Sequence, residues 1–203
     1  MSASLHETLS AFSDYSARLQ EVLHSSDWTP VGRLADELLE CCKSGRQVFI
    51  CGNGGSAGNA IHLANDFLYG ISKIPGVGMR VTALPANAAV LTCLANDEGY
   101  DTIFSTQLAV LGRKGDLLLA LSGSGNSPNI VNVITKAREM GVRSYAILGY
   151  SGGKAKALAD EPIHFPVDDM QISEDMQLIV GHMLMQWLYA RRDQMQSAGV
   201  AGN

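Results

Sequence analysis

The sequence predicts an α/β protein, a three-layer sandwich with a parallel sheet between two layers of helices, and with helices of its own in front. Three observations predict it. Apolar runs of strand length recur after residue 45, segments of helical spacing separate them, and two of the runs lead straight into glycine-containing turns. Strands joined through such helices pair in parallel by right-handed crossovers, which covers both faces of the sheet.

Residues 4–24 carry Leu5, Leu9, Phe12, Leu19 and Leu23 at steps of four and three, broken at Ser16, the spacing of a helix seam. Thr29 before Pro30 reads as an N-cap with proline in the first helical position, and Val31, Leu34, Leu38 and Cys42 then form a second apolar face that stops near Gly45. Preceding every strand, these helices lie outside the sheet. Their narrow seams suit pairing with a second copy of the chain, or cover for an edge of their own domain. Strands are read at 47–51, 79–84, 116–122, 143–148 and, more weakly, 162–165; helices at 57–69, 87–96, 102–111, 128–140 and 153–159. A closing helix over 172–192 is apolar nearly all round, with His182 in mid-run, and is therefore buried on several sides or part of a subunit interface. The chain reads as one domain, 1–203, divided into a helical extension, 1–45, and an α/β core, 46–203.

A net charge of -5 at pH 7 and a pI near 5.5 argue against a nucleic-acid surface, which needs clustered lysine and arginine. There is no leader pattern at the start and no apolar stretch near the ~20 residues that a membrane helix requires. The expectation is a soluble, cytoplasmic protein without nucleic-acid or membrane partners. Cys41, Cys42, Cys51 and Cys93 lack C-x-x-C spacing and read as small buried hydrophobes, neither disulfide partners nor thiolate zinc ligands.

Chemistry concentrates in a few places. The turn Gly52, Asn53, Gly54, Gly55, Ser56 follows a strand and opens a helix, where unpartnered N–H groups and the helix dipole favour an anion. It is neither the dinucleotide fingerprint nor a P-loop, because the third glycine is displaced and no Gly-Lys-Ser/Thr follows. The second turn, Ser122, Gly123, Ser124, Gly125, Asn126, Ser127, Pro128, brings hydroxyl and amide donors to a helix start without any basic residue, with Ser127 as the N-cap. That suits the monoester phosphate of a small metabolite. His62 and Asp66, four apart on a helix, can hold a divalent metal, act as a coupled acid and base, or simply hydrogen-bond each other. Asn96 and Asp97 end a helix in a polar loop, as turn residues or as ligand contacts. Glu174 lies eight residues before His182, ~12 Å of helix rise and about 80° of rotation, so that geometry alone makes the two a weak pair, with Gln177 a competing polar neighbour.

CGNGGSAGNAIHLANDF, LTCLANDEGYDTIFSTQL and LSGSGNSPNI, in this order and spacing, resemble the sugar isomerase (SIS) domain, and more closely its sedoheptulose 7-phosphate isomerase branch, over nearly the whole chain. The resemblance implies a five-stranded parallel sheet, a homotetramer with active sites at subunit interfaces, and aldose–ketose isomerisation of a seven-carbon sugar phosphate. It implies substrate contacts at Asn53, Gly54, Gly55, Ser56, Asp97, Ser122, Gly123, Ser124 and Ser127, a catalytic pair Asp66 and His182, and a zinc ion on His62, Asp66, Glu174 and His182. The chain departs from the family in having Asp66 for a glutamate, Glu174 for a ligating glutamine, Gly123 for a threonine, Gln171 for an aspartate, and Gly70 near the place of an arginine. The alternative within the same fold is a non-catalytic regulator that binds a sugar phosphate or a protein; His182 favours the enzyme.

Overall fold

The structure of the protein, a computed structural model, describes residues 3–195. Helices α1 (Ala3–Ser25) and α2 (Thr29–Ser44) come first, then β1 (Val48–Gly52), α3 (Gly55–Asn65), β2 (Val81–Ala83), α4 (Ala88–Asp97), α5 (Ile103–Leu111), β3 (Leu117–Ser122), α6 (Pro128–Met140), β4 (Arg143–Leu148), α7 (Gly153–Leu158), β5 (Glu161–His164) and α8 (Met170–Tyr189). The five strands are parallel, in the order β2-β1-β3-β4-β5. The expected α/β architecture is borne out.

Side chains alternate across the central strands. Val48, Ile50, Leu117, Leu119 and Leu121 pack on the side of α2, α3 and α8, whereas Phe49, Cys51, Leu118 and Ala120 pack with α5 and α6. A sheet covered on both faces therefore reads as continuous apolar runs, and β1 and β3 are buried at every position. From β1 the chain passes to β2 on one side and then returns to β3 on the other. Ligands of such sheets bind beyond the carboxyl ends of the strands at this reversal. Gly52 pairs with Leu121 across the ladder, so the turns after β1 and β3 leave the sheet side by side.

Three local expectations change. Thr29 is the first residue of α2 rather than its cap, and its N–H is taken by the Asp27 carboxylate at 2.9 Å. The α1 seam splits: Tyr15, Leu19, Val22 and Leu23 pack on the core, while Leu9 and Phe12 remain 45% and 67% exposed. Cys93 is exposed, unlike buried Cys41 and Cys51, and its Sγ points at the Asp97 carboxylate. Burial pushes the Cys41 thiol up to about 12.

Two side chains strap α1 to the start of α8. The Tyr15 hydroxyl donates to the Asp175 carboxylate, and Arg18 pairs with Asp169 at 2.6 Å. Asp169 also caps α8, accepting the Ile172 N–H at 3.0 Å, so that α8 begins two residues before the apolar run suggests. Along α8 the stripe Ile172, Met176, Val180, Leu184 and Leu188 is buried, whereas Met183 and Tyr189 face outward. Among the described residues, no helix is long and apolar enough to cross a membrane.

Candidate active site

Helices α3 and α8 run side by side in the same direction, with Gly55 beside Glu174, Asn59 bonded to Gln177, and His62 bonded to His182. Gly181 permits the approach, since a β-carbon there would stand 2.1 Å from Leu63 Cδ2. Beyond Asn65 the helix widens into one π-turn, Asp66–Gly70: Ile71 N–H reaches back to Asp66 C=O at 3.0 Å, and the Phe67 carbonyl accepts from Met79 N–H at 3.1 Å. Such turns recur at functional positions.

The consequence is a cluster. His62 Nε2 and His182 Nε2 lie 3.0 Å apart with their rings at 81°, and Asp66 Oδ2 lies 3.4 Å from the first and 3.7 Å from the second. Asp66 is mostly buried, while both imidazoles are about half exposed, at 48% and 47%. Two imidazole nitrogens that face each other can share one proton, or can turn both lone pairs on a cation. The three separations, 3.0, 3.4 and 3.7 Å, match the roughly 3.3 Å edge of a tetrahedron with ligands ~2.0–2.1 Å from zinc. The donor set therefore fits a divalent metal with one position left over.

Glu174 stands apart from this cluster. Its carboxylate lies on the backbone at the start of α3, where a β-carbon on Gly55 would be 2.4 Å from both of its oxygens. Unpartnered N–H groups and the helix dipole favour a carboxylate at that end. Asn59 Nδ2 bonds the Glu174 carbonyl at 3.1 Å and the Gln177 side-chain oxygen at 2.9 Å, and Gln177 donates to Ser56 Oγ at 3.0 Å. The Ser56 hydroxyl is thus buried and turned towards α8.

In the serine turn, Ser122 Oγ accepts from Gly125 N–H at 3.1 Å and Ser124 Oγ from Asn126 N–H at 3.3 Å. Gly125 has φ +66°, and a β-carbon there would meet the Gly152 carbonyl at 2.0 Å. Gly123 lies under α8, with Met170 Sδ 2.7 Å from where its β-carbon would be. Ser127 takes the N-cap place of α6, but its hydroxyl makes no capping bond. Asp97 is exposed at the end of α4; bonds from Asn96 and then Cys93 hold its carboxyl below the usual range.

Asn53 joins the two turns. It exchanges both amide hydrogen bonds with Asn129, each 2.8 Å long, and its Oδ1 also accepts from the Tyr100 hydroxyl at 3.1 Å. Sequence reasoning singled out neither Asn129 nor Tyr100. The available signal was a polar residue in the first turn of α6, two beyond the Ser127 cap, where a buried amide needs a partner.

A family model described as SIS domain matches residues 11–149, spanning β1, both turns and the α3 portion of the cluster. This chain belongs to the SIS domain family. Within the family it falls in the phosphoheptose isomerase branch: a phosphoheptose isomerase from Akkermansia muciniphila is 42% identical over 160 residues, 79% of this chain and 82% of that protein. Solved SIS structures agree. Phosphoheptose isomerase GmhA from Neisseria gonorrhoeae superposes with a TM-score of 0.82 at 29% identity, covering 92% of this chain and 99% of that one. For a phosphoheptose isomerase from Francisella tularensis the values are 0.84 and 26%, over 93% and 100%.

Proposed function

We propose that this SIS protein is an aldose–ketose isomerase that interconverts sedoheptulose 7-phosphate and D-glycero-D-manno-heptose 7-phosphate. The observation that carries the reading is the meeting of His62, Asp66 and His182 within 4.8 Å of one another, in a chain similar to proteins named phosphoheptose isomerase. Isomerisation moves a proton from carbon 1 of the ketose to carbon 2 through an enediolate, while protons are exchanged among the oxygens. A carboxylate and an imidazole side by side against the bound sugar serve both tasks: Asp66 takes and returns the carbon-bound proton, and His182, 3.7 Å from it, handles the oxygen-bound one. His62, Asp66 and His182 would hold a zinc ion, which when bound stabilises charge on the substrate oxygens. Asn53, Gly54, Gly55, Ser56, Asp97, Ser122, Gly123, Ser124 and Ser127 form the binding surface in this reading, with phosphate on the serine turn. Glu174, on α8 with its carboxylate against the start of α3, faces the sugar rather than the metal in this reading.

The cluster lies seven residues along α3 from the glycine turn, ~10 Å, and its histidines are half exposed. Leu68 and Tyr69, just beyond Asp66, and Met183, next to His182, are exposed. A second apolar surface lies beside α4 and α5, lined by Val90, Leu94, Val110 and Leu111. Two distinct apolar faces are what a tetramer needs, since each closes a different two-fold contact. In this reading the protein is a homotetramer whose subunits meet at the active site, each subunit being one domain, 1–203, with 1–45 as its helical extension. Free cysteines and a sugar-phosphate substrate suit the cytoplasm.

The test is turnover of sedoheptulose 7-phosphate by the purified protein in deuterated water, followed by NMR, with and without added zinc. An aldose phosphate carrying deuterium at carbon 2 is expected. Absence of turnover with any seven- or six-carbon ketose phosphate removes the reading.

A further inference from the structure

Where β1 and β3 part, the Asn53 carboxamide is held from three directions, and this decides what it can offer a ligand. Asn129 sits in the first turn of α6 and is 1% exposed, so its own amide has to be satisfied inside the protein. Asn53 supplies both partners at 2.8 Å, in a reciprocal pair that crosses the gap between the glycine turn and the serine turn. Tyr100, anchored by the short 3-10 turn Tyr100–Thr102, adds its hydroxyl to Asn53 Oδ1 at 3.1 Å while its ring stays 59% exposed at the rim. A carbonyl oxygen has two lone pairs and an amide nitrogen two hydrogens. Both lone pairs of Oδ1 are therefore engaged, and one N–H of Nδ2 is left.

Resting on the reading that the two turns hold a sugar phosphate, we infer that Asn129 and Tyr100 are positioning residues that make Asn53 a pure hydrogen-bond donor aimed at a phosphoryl oxygen. An acceptor on the ligand finds an N–H in a fixed direction. A ligand hydroxyl seeking an acceptor finds none on Asn53, because Tyr100 and Asn129 have taken its oxygen. The strut also fixes the spacing of the turns, since Asn53 follows β1 and Asn129 follows the serine turn.

Inorganic phosphate is the probe, because its binding is read by calorimetry without turnover. Wild type, Tyr100→Phe, Asn129→Ala and Asn129→Asp are titrated, and KM and kcat are measured for the same variants with sedoheptulose 7-phosphate. Tyr100→Phe removes one neutral hydrogen bond from Asn53 and Asn129→Ala two, so the phosphate Kd should rise about three- to tenfold in the first and at least as much in the second. KM should rise by the same factor in each variant, and Asn129→Asp should be weaker still, because its carboxylate cannot donate to Asn53 and repels the anion. Phosphate affinity unchanged in Tyr100→Phe and Asn129→Ala overturns the inference. So does a fall in kcat at constant KM, or an affinity loss matched by loss of folded protein in circular dichroism. Phosphate binding that responds as stated in a protein without isomerase turnover sinks the activity and leaves this inference standing; a wild type that binds no phosphate sinks both.

Discussion

The Glu174 carboxylate lies flat against the backbone of Gly55, so that a β-carbon at residue 55 would stand 2.4 Å from each of its oxygens. Gly55 is not among the residues with positive φ, so its backbone suits any residue, and only the carboxylate requires a glycine. Gly55→Ala therefore drives the Glu174 side chain off the start of α3. Stability should change little, since the carboxylate can swing outward and alanine is the better helix former by ~1 kcal/mol. Activity should fall to the level of Glu174→Ala, and the double variant should be no worse than either single one. Additive losses in kcat/KM would show that the two residues act separately.

Gly181 makes a harder contact. A β-carbon there would stand 2.1 Å from Leu63 Cδ2, and Leu63 is wholly buried, so it has nowhere to turn. Gly181→Ala should cost about 1–3 kcal/mol by overpacking and should force α3 away from α8, parting His62 from His182. Thermal melting and isomerase activity should fall together, and Leu63→Val should restore part of both. A variant that keeps wild-type melting would mean that the helices are less tightly apposed.

The sheet was legible because a strand buried on both faces leaves a continuous apolar run and each crossover helix leaves a periodic one. Arg143–Leu148 matches its expected range at both ends. The cluster of His62, Asp66 and His182 was half legible: His62 and Asp66 share a helix and their spacing places them together, but His182 is 120 residues from His62 and joined them only through the resemblance. Asn129 escaped because an asparagine in a first helical turn has a sufficient local explanation, and its partner lies 76 residues away. The α1 seam misled in part, since alternating steps of four and three do not say which half of a long helix reaches the core.

Metal binding separates the ligands from their neighbour. His62→Ala, Asp66→Ala and His182→Ala each remove one of three donors that lie within 4.8 Å of one another, and each should lose zinc in elemental analysis and bind it more weakly in calorimetry. Asp66→Ala and His182→Ala should also abolish turnover while leaving the fold intact. Glu174→Ala should keep the wild-type zinc content, because its carboxylate rests at Gly55. Zinc lost from Glu174→Ala as well would bring that carboxylate into the ligand set.

The strap between α1 and α8 sets an acid limit. Asp169 accepts the Ile172 N–H at 3.0 Å and meets Arg18 at 2.6 Å, and these contacts, the backbone bond first, hold its carboxyl below the ordinary 3.8. A carboxylate with a folded pKa below its unfolded one stabilises fully above the unfolded value and loses that contribution as pH falls through the folded one. Asp169→Ala should thus cost about 0.5–2 kcal/mol at neutral pH, the worth of an N-cap, and the gap from wild type should close as pH drops below about 4. Asp169→Asn separates the two contacts, since asparagine caps as well as aspartate but cannot pair with Arg18. It should lose only the exposed ion pair, at most ~1 kcal/mol, and that loss should shrink in high salt. Melting curves from pH 2.5 to 7 decide it: a gap between wild type and Asp169→Ala that stays constant over that range would mean that the charge on Asp169 does not hold α8.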